Sequence, residues 1–346
     1  MDEKRLREIL ERFDQLKVLV VGDFFLDKYM VMDRALSEVS LETGLEAYQV
    51  VEVRCSPGAA GTVTSNLRAL DVDVTTLGVI GDDGEGYELK RGLLQRGVHI
   101  EPLIERHDLF TATYTKPLMR ELDGREHEIN RLDIKNRGLL PPSVEEQIIE
   151  RLRSYVPEMQ GVIVADQVQE RNYGVITDRV REEIARLARQ YPHIVFAADS
   201  RTHIGLFREV IIKPNEREAT LALHPDHVGE IDLTRARESG RELFRRNQKP
   251  VFVTVGEQGI LLFTEEGGEH VPAVEVRGEI DIVGAGDSVM AGIVASLCSG
   301  ADPREAALVG NLVASITIQQ IGTTGTASRQ QVWERFRSLP LVQESE

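Results

Sequence analysis

Short apolar runs rich in β-branched residues recur along this chain, and charged stretches with helical spacing separate them. Lys17–Asp23 (KVLVVGD), Gly161–Asp166 (GVIVAD), Ile194–Asp199 (IVFAAD), Val210–Pro214 (VIIKP) and Val251–Val255 (VFVTV) read as strands. They are apolar nearly throughout rather than alternating, the pattern of strands covered on both faces. Between them lie helical patterns at about Ala59–Leu70, Gly86–Arg96, Val175–Gln190 and Leu233–Asn247, with a further strand at Val74–Ile80. Leu6, Ile9, Leu10, Phe13 and Leu16 recur at helical spacing before the first strand. Strands that alternate with helices predict an α/β fold with a mostly parallel sheet between two helical layers.

Two segments break this rhythm. Residues 28–53 and 111–132 show the alternation of half-buried strands, the second with a hairpin signal at Leu122–Gly124. Such strands do not join a parallel core, so the expectation is a single domain over 1–346 with a small β lid formed by these segments. A lid strand with a free edge invites pairing with a second copy, which predicts a homodimer joined through Lys28–Val53.

Composition narrows the function. Lys and Arg number 41 against 57 Asp and Glu, a formal charge of −16, and no basic run offsets it. Such a surface repels phosphate backbones and anionic membranes, so neither nucleic acid nor a membrane is an expected partner. Cys55 and Cys298 are far apart and form no metal or redox spacing. The charged N-terminus lacks the apolar core of a secretory signal, and a cytoplasmic location is expected. No GxxxxGK[ST], GxGxxG after the first strand, GxSxG or HExxH motif occurs, which disfavours P-loop, dinucleotide, α/β-hydrolase and zinc chemistries.

The strongest motif is Asp281–Ile293 (DIVGAGDSVMAGI). A Gly-Ala-Gly turn (Gly284, Ala285, Gly286) opens a helix, so its N–H groups converge where the helix dipole is positive, a natural anion hole. Asp287 stands in the first turn, either as a capping carboxylate or as a base accepting a proton from a hydroxyl that attacks a phosphoryl group. Ile212–Ala219 (IKPNEREA) offers Asn215 and Glu218. Their spacing suits a helix capping box and equally oxygen ligands for Mg²⁺.

DxxGAGD followed by a small-residue helix resembles the C-terminal signature of the PfkB/ribokinase family of carbohydrate kinases, and other segments follow in family order over roughly residues 17–330. The resemblance implies a ribokinase-like three-layer sandwich, ATP and Mg²⁺ as cofactors, Asp287 as general base, and the Gly284–Gly286 amides as stabilisers of the transferred phosphoryl group. It places Asn215 and Glu218 at the metal, and Thr254, Gly256, Gly259, Gly322 and Thr323 beside the nucleotide. On the sugar side it points to Asp27, Gly58, Thr62 and Asn66, with Asp23, Asp166 and Asp199 at strand ends on the rim where open α/β sheets bind ligands. Within the family, Gly22–Tyr29 (GDFFLDKY), Ser40–Glu42 and Asn130–Asp133 resemble the heptose-phosphate kinase domain of the ADP-heptose synthase group. That implies an acceptor already carrying a phosphate, for which Lys116, Arg131 and Arg201 are candidate partners. The sequence departs from the family pattern at Ala59, where a second glycine is usual, and at Thr62, where an asparagine is usual. These departures keep two further readings in play, a binding protein of the same fold without catalysis and a nucleoside kinase.

Overall fold

The computed structural model describes residues 1–322 and 324–339. Helix α1 (Glu3–Leu10) leads into β1 (Lys17–Gly22), a long hairpin of β2 (Phe24–Val39) and β3 (Glu46–Ala59), α2 (Ala60–Ala69), β4 (Asp73–Leu77), β5 (Val79–Gly81), α3 (Gly84–Gln95) and β6 (Ile104–Arg106). Strands β7 (Thr113–Arg120), β8 (Glu126–Glu128) and β9 (Leu132–Ile134) follow, then α4 (Pro142–Tyr155), β10 (Gly161–Asp166), α5 (Asp178–Gln190), β11 (Val195–Ser200), β12 (Ile211–Ile212), α6 (Glu216–Leu221) and α7 (Leu233–Asn247). The chain continues through β13 (Val251–Thr254), β14 (Ile260–Thr264), β15 (Gly267–Val271), α8 (Ala285–Cys298), α9 (Pro303–Thr317) and α10 (Arg329–Arg337).

Eight strands form the main sheet in the order β15-β14-β13-β12-β11-β10-β1-β4. From β13 to β4 every pairing is parallel, and β14 and β15 close one side as an antiparallel hairpin. The apolar runs explain this placement. Along β1, Val18 and Val20 pack with Leu67, Met290, Val294 and Leu312 on one face, while Leu19 and Val21 pack with Ile148, Leu152, Val180 and Ile184 on the other. Successive side chains in a strand point to opposite faces, so a strand apolar at every position needs a helical layer on each side. Helices α1, α2, α8, α9 and α10 supply one layer, and α4, α5 and α7 the other. Helix α8 is buried on nearly all sides from Ser288 to Ser296.

The strand expected at Val74–Ile80 is two, β4 and β5, interrupted at Gly78. A side chain there would lie 2.8 Å from the Gly22 carbonyl oxygen and 2.6 Å from the Phe24 ring, so close packing against the end of β1 breaks the strand.

The second sheet runs β3-β2-β7-β8, with β9 beside β7. Residues 28–53 and most of 111–132 fall in it or in its turns, and it also takes in the start of β2, the end of β3 and Ile134. Glu121 and Arg125 close the turn between β7 and β8, with Gly124 at φ 82°. Among the described residues strand β3 forms one edge of this sheet. Among the described residues no helix is long and apolar enough to cross a membrane.

Candidate active site

The parallel strands all end at one rim, and the loops that leave them bring distant residues together. Asp199 is the penultimate residue of β11, Lys213 follows β12, Thr254 closes β13, and α8 brings its N-terminus to the same place. Gly284 caps α8 in the left-handed region at φ 79°, a conformation that suits glycine. An added side chain would also meet Thr324 at 2.6 Å and Thr62 at 3.2 Å. Ala285 donates to the Ile282 carbonyl and Ser288 to that of Gly284, whereas the N–H groups of Gly284, Gly286 and Asp287 find no acceptor among the described residues. Three free donors at the positive end of a 14-residue helix could receive an anion.

Asp287 keeps some contact with the cleft, yet protein closes around its carboxyl. That burial, then repulsion from Asp199, pushes its pKa up to about 7, against the pull of Lys213 and Arg201. A carboxyl poised there is well matched to accepting a proton near neutral pH. Its side chain makes no capping hydrogen bond.

Lys213, part of IKPNEREA but not singled out from the sequence, is the only buried lysine among the described residues. Its Nζ lies 2.8 Å from Asp199 Oδ2. Burial works against its charge, but Asp199, then Glu218, and Asp287 outweigh it and raise its pKa. The signal for it is a lysine closing an otherwise apolar strand, VIIK.

Asn215 and Glu218 form a reciprocal capping box: Glu218 Oε2 accepts from the Asn215 N–H at 2.9 Å, and Asn215 Oδ1 accepts from the Glu218 N–H at 2.8 Å. The cap therefore engages Asn215 Oδ1 and leaves Glu218 one free oxygen. Burial and Asp199 raise the Glu218 pKa, a strain that a bound cation relieves. Among the described residues no set of three His, Cys, Asp or Glu side chains converges on a metal position. A single carboxylate oxygen fits Mg²⁺ that arrives with phosphates and keeps its waters, rather than a resident metal.

Thr254 donates its N–H to the Pro214 carbonyl, tying β13 to the same cap. Gly256 at φ 56° and Gly259 at φ 97° shape the turn into β14. Gly322 donates to Asp281 Oδ2 at 3.4 Å, which ties its loop to the segment before the anion hole. Thr323 lies outside the described residues.

The second sheet covers the other side of the cleft. Asp27 is half-buried, and an added side chain at Gly58 would stand 2.5 Å from its Oδ2, so this glycine makes room for the carboxylate. Burial raises the Asp27 pKa against the pull of Lys116 and Arg131. Lys116 Nζ donates to the Tyr29 hydroxyl at 3.0 Å and lies 3.8 Å from Asp27. Lys116 and Arg54 lie over the Tyr29 ring at 4.8 and 5.4 Å, and Arg131 and Lys135 over Tyr114 at 4.4 and 5.9 Å. Arg131 also forks onto Asp133 at 2.7 and 2.9 Å. Arg54, Lys135 and the two tyrosines carried no motif that sequence reasoning could use. Arg201 is exposed, has no ion-pair partner among the described residues, and acts on Asp287, Glu218 and Tyr114.

Of the residues expected at the sugar, Asp23 and Asp166 have protein partners, and Asn66 has one for its amide N–H while its buried Oδ1 has none among the described residues. Asp23 accepts N–H groups from Gln167, Val168 and Val175 at 2.8–3.0 Å and fastens the loop after β10. Burial, then Asp166, raises its pKa to about 6. Asp166 accepts from the Ser200 hydroxyl at 2.7 Å. Asn66 is fully buried in α2 and donates to the Thr62 carbonyl. Short polar side chains at strand ends and in helices satisfy backbone and neighbours as readily as ligands, and spacing alone does not separate the two. Thr62 itself lies with its methyl group beside the anion hole.

Residues 17–330 match the family model described as pfkB family carbohydrate kinase. The chain belongs to that family. It is therefore a carbohydrate kinase with a ribokinase-like fold, as the motifs predicted. Curated relatives include the bifunctional protein HldE of Citrifermentans bemidjiense, 28% identical over 336 residues, and that of Geotalea uraniireducens, 29% identical over 329. These alignments cover 96% and 94% of this chain but 66% and 64% of those proteins, so the PfkB kinase spans just under two-thirds of their length. Among solved structures, Arabidopsis thaliana ribokinase complexed with ribose and ATP superposes with a TM-score of 0.68 at 16% identity, over 94% of this chain and 99% of that one. A phosphofructokinase-2 mutant from Escherichia coli gives 0.68 at 17%, over 93% and 98%.

Proposed function

We propose that this PfkB kinase transfers the γ-phosphoryl group of ATP to a hydroxyl of a sugar that already carries an anionic group, with heptose 7-phosphate, phosphorylated at C1, as the leading acceptor. The observation that carries the reading is Asp287 beside three unpaired N–H groups. Its carboxylate accepts the proton of the attacking hydroxyl while the new O–P bond forms and the bond to the leaving ADP breaks. The Gly284, Gly286 and Asp287 amides hold the oxygens of the group in transit, where fixed donors act most strongly. Asp27 orients the acceptor. Bound with the nucleotide, Mg²⁺ would neutralise phosphate charge, held through the free oxygen of Glu218 that Asn215 fixes in place. The cations around Tyr29 and Tyr114, with Arg201, favour an acceptor bearing a phosphate, and the HldE relatives support a heptose. The second sheet serves as the lid of a single domain, its free β3 edge supports a homodimer through 28–53, and the acidic charge and soluble chemistry fit the cytoplasm.

A cavity favours a second reading. Phe25, Phe110, Tyr114 and Tyr173 line a pocket next to Asp23, and aromatic walls also suit the base of a nucleoside. Phosphorus NMR of the protein with Mg-ATP and heptose phosphates, hexose phosphates, free sugars and nucleosides separates the readings. A new resonance coupled to H1 of heptose 7-phosphate is expected; transfer to nucleosides alone selects the second. No transfer to any acceptor, with ATP still bound, would leave a binding protein and sink both.

A further inference from the structure

We propose that Lys213 is a further catalytic residue, whose ammonium, held by Asp199, touches the phosphoryl group seated at the N-terminus of α8. The inference rests on the phosphoryl-transfer reading above and adds a charge that this reading does not use.

Three observations carry it. A side chain built on Gly286 would come within 3.5 Å of Lys213 Nζ, so the ammonium lies against the same turn that presents the free N–H groups. An ammonium has three donors; one faces Asp199 at 2.8 Å, and no other hydrogen bond of Nζ is made among the described residues. Finally, the pair is nearly sealed from solvent, at 3% exposure for Lys213 and 8% for Asp199. A buried ion pair is poor value for stability compared with two well-packed apolar side chains. A lysine kept there with donors to spare, beside an anion hole, is placed to bind an anion.

The function follows from the direction of charge movement. As the bond to the leaving nucleotide breaks, negative charge moves onto the bridging oxygen and the equatorial oxygens of the group in transit. Backbone amides offer partial charges, whereas Lys213 offers a full one in a site with little water to screen it. Asp199 keeps the ammonium from turning towards Glu218.

The test uses the full chain and compares Mg-ATP with adenosine, which lacks phosphates. In the double variant Lys213→Met with Asp199→Asn both buried charges leave together, so no uncompensated ion remains in the fold. Its melting temperature reports folding, and calorimetry reports binding. ATP affinity is expected to fall tenfold or more while adenosine affinity holds. Unchanged ATP affinity in the folded double variant overturns the proposal. A role confined to tuning Asp287 would shift the pH profile yet keep the preference for ATP, and it overturns the proposal equally. An independent measurement needs no variant: with ¹⁵N-labelled lysine, the slowly exchanging ammonium of the one buried lysine is expected to shift on adding Mg-ATP and not adenosine. Bound ATP with an unmoved signal overturns this proposal alone. Failure of the wild type to bind ATP overturns the underlying reading and this proposal with it.

Discussion

Asp287 illustrates how a residue acquires a function from its surroundings. In solution its carboxyl would titrate near 4; here burial and Asp199 lift it to about 7. The base must be ionised to accept a proton, so kcat/KM is expected to rise with pH to a plateau above about 7 and to fall away in acid. A flat profile between pH 5.5 and 8.5 would remove Asp287 from the proton transfer. Stability runs the other way. The folded acid holds its proton more tightly than the unfolded one, so ionising it costs the fold, and stability drops as pH rises from about 4 to about 7. Asp287→Asn abolishes that cost. The variant is expected to lose roughly 10²–10⁴-fold in turnover and keep nucleotide affinity, yet to melt a few degrees higher than wild type at pH 8, with the gap closing near pH 5. Matched melting curves at both pH values check the sign, and a lower melting point at pH 8 would contradict it.

At the scale of elements, the junction of β3 and α2 is the strained one. Ala59 sits at φ 53° and ψ −119°, a region that belongs to glycine and costs a side chain of order 1–3 kcal/mol. The conformation is imposed by its neighbours: Gly58 must pass Asp27, and the Ala60 N–H donates to the Asp23 carbonyl. Ala59→Gly is expected to stabilise the protein by about 1 kcal/mol, read as a higher urea midpoint; a lower midpoint would show that the backbone is relaxed there. The departure at Ala59 was visible in the sequence as a missing glycine, but its meaning was not, because a dihedral angle is set by both flanking elements. The same division runs through the site. Apolar runs made the strands legible, and Gly-Ala-Gly-Asp made the anion hole legible, since both are local patterns. Lys213, Arg54 and Lys135 acquire their surroundings only through pairing of distant segments. Asp23 and Asp166 satisfy neighbours contributed by other parts of the chain, Asn66 bonds within its own helix, and no spacing within the sequence separates those contacts from contacts with a ligand.

For the whole molecule, the proposed lid and the proposed dimer draw on the same sheet. Strand β3 leaves Tyr48, Val50, Val51 and Val53 between 41% and 54% exposed along the free edge of the second sheet, and unpaired edges of this kind are usually blunted or paired. Light scattering is expected to give twice the chain mass. Val51→Lys with Val53→Lys should return a monomer that stays folded, since neither side chain contributes to the core. A wild-type monomer at working concentration would remove the dimer.

The order of the strands in the main sheet carries one more consequence, for the chain while it is being made. Strand β1 leaves the ribosome early but lies between β4 and β10, and the turn bearing Asp287 follows only after every strand of that sheet. Contacts between such distant positions form late and together. A nascent chain that has not yet reached α8 holds Lys213 but lacks Asp287 and the turn before it. On the proposed reading, a half-made copy that stops short of α8 is idle towards the phosphoryl donor, because the group that would take the proton comes with one of the last elements of the fold.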